Sequence, residues 1–348
     1  MILYRKGSSV RVRRSAVPVP PYWCATSIAL YGAKRATPIA IDFLDLRVTH
    51  AERLETTIVD EPVAELERLE LRQPLQAPLL IDAAESAEIV FRRGADTLAY
   101  AGEHQLPSLL LTSARGALPA ALPPRSIIAI AAWPLDLLRL EAICAEAGAR
   151  ATVWGLAVPL LYPITTDLAA LSELVSLAAR HGATFVGSLI LEVEQNAKAA
   201  IARSLMTDDE DDEQYETLFH ADLDAIHVAS ERHLAALTHQ AGMQDFILPP
   251  DWEMKTNWNA AILLMIAATR MLAMEHEVEL AGTLARSARL VATLDKPLAR
   301  VAEAASLSII DALDDVSVDI LTEWLESGKS NFIERLNERW RVRRDYVV

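Results

Sequence analysis

Between about residues 38 and 250, short apolar runs rich in β-formers alternate with longer segments of helical period. No other feature constrains the fold as much, because strand, helix and strand in repetition is the signature of right-handed βαβ crossovers building a parallel sheet. The predicted strands are 39–48, 78–81, 108–112, 127–132, 151–158, 184–191 and a weaker one at 225–228. Several are apolar at every position, as strands buried on both faces are. The clearest helix lies between Asp167 and His181. It has Leu168, Leu171, Val175 and Ala178 on one face, Thr166 or Asp167 as cap and Gly182 as stop. Leu137–Ala147 repeats the plan and is predicted to end at Gly148. A doubly wound open sheet and a closed or partial barrel share this local pattern. The Gly-rich turn of a dinucleotide-binding sheet is missing, which favours the barrel.

After Pro249-Pro250 the pattern becomes helical throughout. The predicted helices run from Asn257 to Leu294, Pro297 to Leu313, Ser317 to Glu326 and Asn331 to Arg341. Ile262, Met265, Ile266, Thr269, Leu272 and Ala273 form an apolar stripe that must pack on something. The expected organisation is a basic segment 1–20, an α/β domain 21–250 read as a partial (β/α) TIM-like barrel of parallel strands, and an all-helical C-terminal domain 251–348. Six consecutive acids, Asp208 to Glu213, mark an exposed loop at 207–214.

With 33 basic against 48 acidic residues the net charge is −15, which disfavours a nucleic-acid partner. Basic clusters at Arg5, Lys6, Arg11, Arg13 and Arg14, and at Arg339, Arg341, Arg343 and Arg344, read as solvated tails or as partners of the acidic body. No signal-peptide pattern opens the chain. The apolar run 260–268 is too short for a bilayer, so a cytoplasmic protein with no membrane association is expected. The two cysteines fit a reducing compartment. They also exclude a cluster or zinc site ligated by this chain's thiolates alone.

Barrels carry their chemistry after the C-terminal ends of strands, which nominates Asp82, Glu85, Ser113, Arg115, Trp133, Glu192 and Glu194. Asp82 ends an apolar run and precedes small residues that leave room for a ligand. Glu192 and Glu194 sit at alternate positions after a strand, a spacing suited to a carboxylate pair for proton transfer. On a continuous helix His220, Asp224, His227 and Glu231 would share one stripe, which could ligate Zn²⁺ or Fe²⁺. A strand at 225–228 would scatter them. Cys24 has no adjacent basic residue to activate it. Cys144 reads as core, and Trp324, Trp340 and Phe332 as helix-packing residues.

In order along the chain, Pro21-Tyr22-Trp23-Cys24, Val48 to Leu54, Leu80-Ile81-Asp82, Thr112-Ser113, Arg139-Leu140 with Ala147-Gly148, and Val158 to Pro163 through Asp167, Ala183 and Leu189 to Leu191 follow a known succession. These segments resemble the radical S-adenosylmethionine enzymes, in the branch of spore photoproduct lyase and its relatives. The resemblance spans about residues 20–250 and implies a partial barrel, with Cys24 in the cluster region and Ser113 and Arg115 in the adenosyl region. The family's C-x3-C-x2-C motif is not retained: Ile28 and Tyr31 stand where the second and third thiolates belong. One thiolate cannot hold four irons, so no iron–sulfur cluster or other cofactor is expected, while S-adenosylmethionine stays open as a ligand. The resemblance therefore implies a degenerate, non-catalytic or accessory protein, docking on a protein partner or on itself through the helical part. The competing expectation is a barrel enzyme that works on a small molecule with Asp82, Glu192 and Glu194.

Overall fold

The structure, a computed structural model, describes residue 63 and residues 79–83, 88–113, 118–120, 122–132, 137–151, 153–160, 167–190, 223–274 and 276–341. Five strands form one parallel sheet in the order β1 to β5: Leu79–Ala83, Ser108–Ser113, Ser126–Ala131, Trp154–Leu160 and Phe185–Ile190. The helices between and after them are α1 (Glu88–Glu103), α2 (Leu137–Arg150), α3 (Leu168–Arg180) and α4 (Leu223–Gln240). The α/β architecture with parallel strands is thus as the sequence leads one to expect. The strand predicted at 39–48 lies outside the described residues.

The winding has one direction. Strand order follows chain order without reversal, and the buried core that contains the helices draws on one parity of every strand: Ile81, Leu110, Ile128 and Ile130, Leu156 and Val158, Val186. Leu98 of α1, Leu140 and Ile143 of α2, Leu171 and Val175 of α3 and Leu234 of α4 belong to that same core. All four helices therefore cover one face. The other parity is buried too, and on β3 to β5 it is made of small residues, Ala129, Ala131, Gly155, Ala157 and Gly187, beside Phe185. Beyond β5 the chain continues the order: Phe185 bridges Gln244 in parallel, with the Val186 amide donating to the Gln244 carbonyl at 2.9 Å and the Gln244 amide to the Thr184 carbonyl at 3.1 Å.

Local chemistry explains most boundaries. Asp167 caps α3 by accepting from the amides of Ala169 (2.7 Å) and Ala170 (2.9 Å), and Gly182 takes the left-handed φ of 77° that ends it. Three details differ from expectation. Leu168, in the first turn, is 40% exposed, while Leu174 and Leu177 join the buried face. Gly148 does not stop α2, which runs on to Arg150; a β-carbon there would sit 2.3 Å from the His181 carbonyl oxygen, so glycine is required by close helix approach. Residues 225–228 are helical, within α4, since their β-branched content is outweighed by burial of α4 on β5 and α3.

From Lys255 to Arg341 every described element is helical: α5 (Lys255–Ala273), α6 (Val278–Ala292), α7 (Leu298–Ala304), a 3₁₀ turn at Leu307–Ile309, α8 (Asp315–Ser327) and α9 (Asn331–Arg341). The single helix expected from Asn257 to Leu294 is in fact α5 and α6, folded back on each other around Glu277, whose φ is 47°. The apolar period runs through the break, and the gain from packing Ala281, Leu284, Ala288 and Val291 against α5 decides it. Likewise Pro297 to Leu313 is a short helix and a 3₁₀ turn. The predicted stripe on α5 proves too narrow: Trp258, Ala260, Ala261, Leu264, Ala267, Ala268 and Met271 are buried along with Ile262, Met265, Ile266 and Thr269. This helix is the axis of the second core, enclosed on nearly all sides. Asn257 supports its start by accepting from the Leu298 amide (2.6 Å) and donating to the Lys296 carbonyl (2.9 Å). Among the described residues no helix is long and apolar enough to cross a membrane.

Candidate functional site

Where the two cores meet, charge is buried. Arg270 is the only charged residue of α5 between Trp258 and Met274, and the chain turns it toward β5 rather than to water. Its Nη2 donates to Asp245 Oδ2 at 2.6 Å, with the two side chains 6% and 7% exposed, and its Nη1 donates to Asn337 Oδ1 of α9. Arg341 Nη2, one turn along α9, lies 3.7 Å from the same Asp245 oxygen. Burial pulls the Arg341 guanidinium below its ordinary pKa, and Asp245 opposes that shift.

Trp340 is fully buried between two guanidiniums. The Arg232 carbon stands 5.2 Å from its ring centroid and that of Arg270 5.8 Å, so each cation rests against the indole. Arg232 of α4 also donates from Nε to the Trp340 carbonyl (2.8 Å) and from Nη2 to the Arg339 carbonyl (3.3 Å), taking up acceptors that the C-terminal end of α9 leaves open. Sheet, α4, α5 and α9 are joined here.

Beside the ion pair is a cavity of about 20 Å³, with room for one water, lined by Gly187, Ser188, Glu231, Asp245, Phe246, Ile247, Ile266, Thr269 and Arg270. Glu231, a half-buried residue of α4, forms part of its wall beside Ser188. Loss of hydration raises its pKa; Arg270 and the Ser188 hydrogen bond act against that rise, and Asp245 adds to it. The Thr269 hydroxyl oxygen, also on the cavity wall, is buried without a hydrogen-bond partner among the described residues. Chemically the arrangement holds an ion pair out of solvent beside room for one water, and the cavity has no space for a substrate.

The predicted mouth residues fall differently. Asp82 is the fourth residue of β1, in register with Leu111, and Ser113 is the last residue of β2, so both stand at the C-terminal ends of neighbouring strands. Cys24, Glu85, Arg115, Trp133, Glu192, Glu194 and His220 lie outside the described residues. Asp224 and His227 belong to α4 with Glu231, which settles the local conformation as helical. Among the described residues no group of three or more potential ligands is placed to hold a metal, and Glu231 lines a cavity together with Ser188 and Arg270. Cys144 is core, as expected; burial, with help from Glu141, raises its thiol to about 12.

The junction was not foreseen. Its visible signal was Arg270 itself, one charge inside a long apolar helix, which must find a buried acid or destabilise the fold. The reading of Arg341 as a partner of the acidic body is borne out by Asp245. Comparison of the chain with protein-family models, with curated proteins and with solved structures gave no match to any of them.

Proposed function

We propose that this protein is a non-catalytic or accessory relative of the radical S-adenosylmethionine barrels, one whose cluster site has been vacated and whose helical part serves as a docking platform. The observation that carries the reading is the one-directional winding: strands in chain order, helices on a single face, and Gln244 extending the order past β5. A sheet wound in this way curls about its second face, which is buried, and small residues on that face of β3 to β5 suit a curled interior. Ile28 and Tyr31 in the later ligand positions support the loss of the cluster. The charged junction supports the platform, because it holds α5 and α9 firmly against the sheet.

The test is anaerobic reconstitution of the full chain with iron and sulfide. Substoichiometric iron and no thiolate-to-iron charge-transfer band are expected; four irons per chain with such a band would overturn the reading. Native mass spectrometry of the chain isolated from its own cells then asks for the partner: a defined complex is expected, and a free monomer that turns over a metabolite refutes the accessory role.

A second reading has one observation in its favour, the placement of Asp82 and Ser113 at adjoining strand ends. In that reading the chain is a barrel enzyme using Asp82 for proton transfer, and Asp82→Asn abolishes turnover while leaving the fold intact.

A further inference from the structure

We propose that the junction contains a binding site for one resident water, held in the cavity between β5, α4 and α5 as the hydrogen-bond partner of Thr269. The starting point is helix chemistry. A serine or threonine inside a helix can donate its hydroxyl to the carbonyl four residues back. Ser176, Thr283 and Ser327 do so, at 2.8, 3.1 and 2.8 Å. Thr269 lies inside α5 and is 9% exposed, yet it makes no such bond to Met265: its hydroxyl oxygen is buried with no partner among the described residues. Forgoing the local bond is costly unless something else meets the hydroxyl.

The cavity supplies the place. Thr269 is on its wall with Ser188, Glu231, Asp245 and Arg270, and its volume of about 20 Å³ exceeds the roughly 10 to 15 Å³ that a water needs. A buried water also needs two to four polar partners. Besides the Thr269 hydroxyl, the wall offers the Ser188 hydroxyl, the carboxyl oxygens of Asp245 and Glu231 and the guanidinium of Arg270. A β-carbon on Gly187, a further wall residue, would stand 3.2 Å from the Ile247 amide nitrogen, so glycine lets the segment after α4 close the wall against β5.

The charges on the wall select the occupant. A cation would meet the Arg270 guanidinium and an anion the Asp245 carboxylate, which are paired at 2.6 Å. A neutral molecule that both donates and accepts suits both signs, and at this volume that molecule is water. It joins β5, α4, the segment after α4 and α5 through a single molecule, and so belongs to the contact between the two cores. This goes beyond the accessory role and does not depend on it.

A second threonine provides the control. Thr238 of α4 is fully buried, its hydroxyl is likewise without a partner among the described residues, and it is not on the wall of this cavity. Replacing an unbonded buried hydroxyl by a methyl group is neutral or stabilising, whereas removing a partner of a held water breaks a hydrogen bond. Thr269→Val is therefore expected to lower the urea midpoint of the full chain, and Thr238→Val to leave it unchanged or raise it. A crystal structure of the full chain is expected to show density in the cavity at about 2.5 to 3.0 Å from Thr269 Oγ1. A cavity without density, or oxygen contacts of about 2.0 to 2.4 Å, the range of a bound cation, overturns the proposal. So does a Thr269→Val midpoint at or above the wild type, or a Thr238→Val loss as large as that of Thr269→Val. If Thr269→Val fails to fold, the density in the wild type decides.

Discussion

Replacing Arg270 by methionine tests the junction most directly. Methionine matches the aliphatic length of arginine, so the change isolates the guanidinium. Its loss leaves Asp245, 7% exposed, as a buried carboxylate without its 2.6 Å partner, and leaves Asn337 Oδ1 without a donor. Removing one member of a buried pair typically costs about 3 to 5 kcal/mol. Arg341, 3.7 Å from the same oxygen, can move in and recover part of this, which places the expectation near the lower end, at about 3 kcal/mol. Loss of one of the two cations against Trp340 adds about 0.5 to 2 kcal/mol.

Urea unfolding followed by far-ultraviolet circular dichroism measures the cost, and a double-mutant cycle apportions it. Asp245→Asn alone leaves Arg270 underpaired. Combined with Arg270→Met it removes the orphaned charge, so the double variant should be more stable than the sum of the single losses predicts, by at least about 1 kcal/mol. An Arg270→Met cost below about 1 kcal/mol, or strict additivity with Asp245→Asn, would refute the claim that these charges are committed to each other out of water.

Glycine gives a paired test: Gly148→Ala should cost about 1 to 3 kcal/mol in chemical denaturation, because its β-carbon meets the His181 carbonyl at 2.3 Å. Gly282→Ala, with nothing nearer than the Arg286 guanidinium at 3.7 Å, should stabilise α6 by up to about 1 kcal/mol. Asp314 caps α8 through the Ser317 amide (3.0 Å) and accepts from the Ser287 and Ser317 hydroxyls; burial pushes its pKa up, but these hydrogen bonds outweigh that and hold it below the ordinary 3.8. Its stabilisation is therefore complete above the ordinary carboxylate range and disappears as pH falls through the lowered value, so Asp314→Ala should lose about 1 kcal/mol at pH 7 and little in strong acid, measured by thermal unfolding across pH. Cys144, buried and with its thiol raised to about 12, should resist iodoacetamide in the native protein and react only after denaturation, as read by peptide mass mapping.

Much of this was legible in the amino-acid order because it is local. Strand after strand was found where apolar β-formers run together, Asp167 and Gly182 bound α3 as their chemistry requires, and α9 begins and ends where predicted. Helix or strand at 225–228 was not legible, since a four-residue apolar run suits either until its neighbours are known. The same holds for the break at Glu277, where neither glycine nor proline interrupts the period.

What the order of residues determined alone was the α/β class of fold and the burial of Cys144. The direction of winding, the enclosure of α5 on nearly all sides and the meeting of Arg270, Asp245, Glu231 and Arg341 were decided only by tertiary structure. Those residues come from α4, the segment that follows it, α5 and α9, and a buried charge selects its partner by proximity in space, which no spacing along the chain encodes.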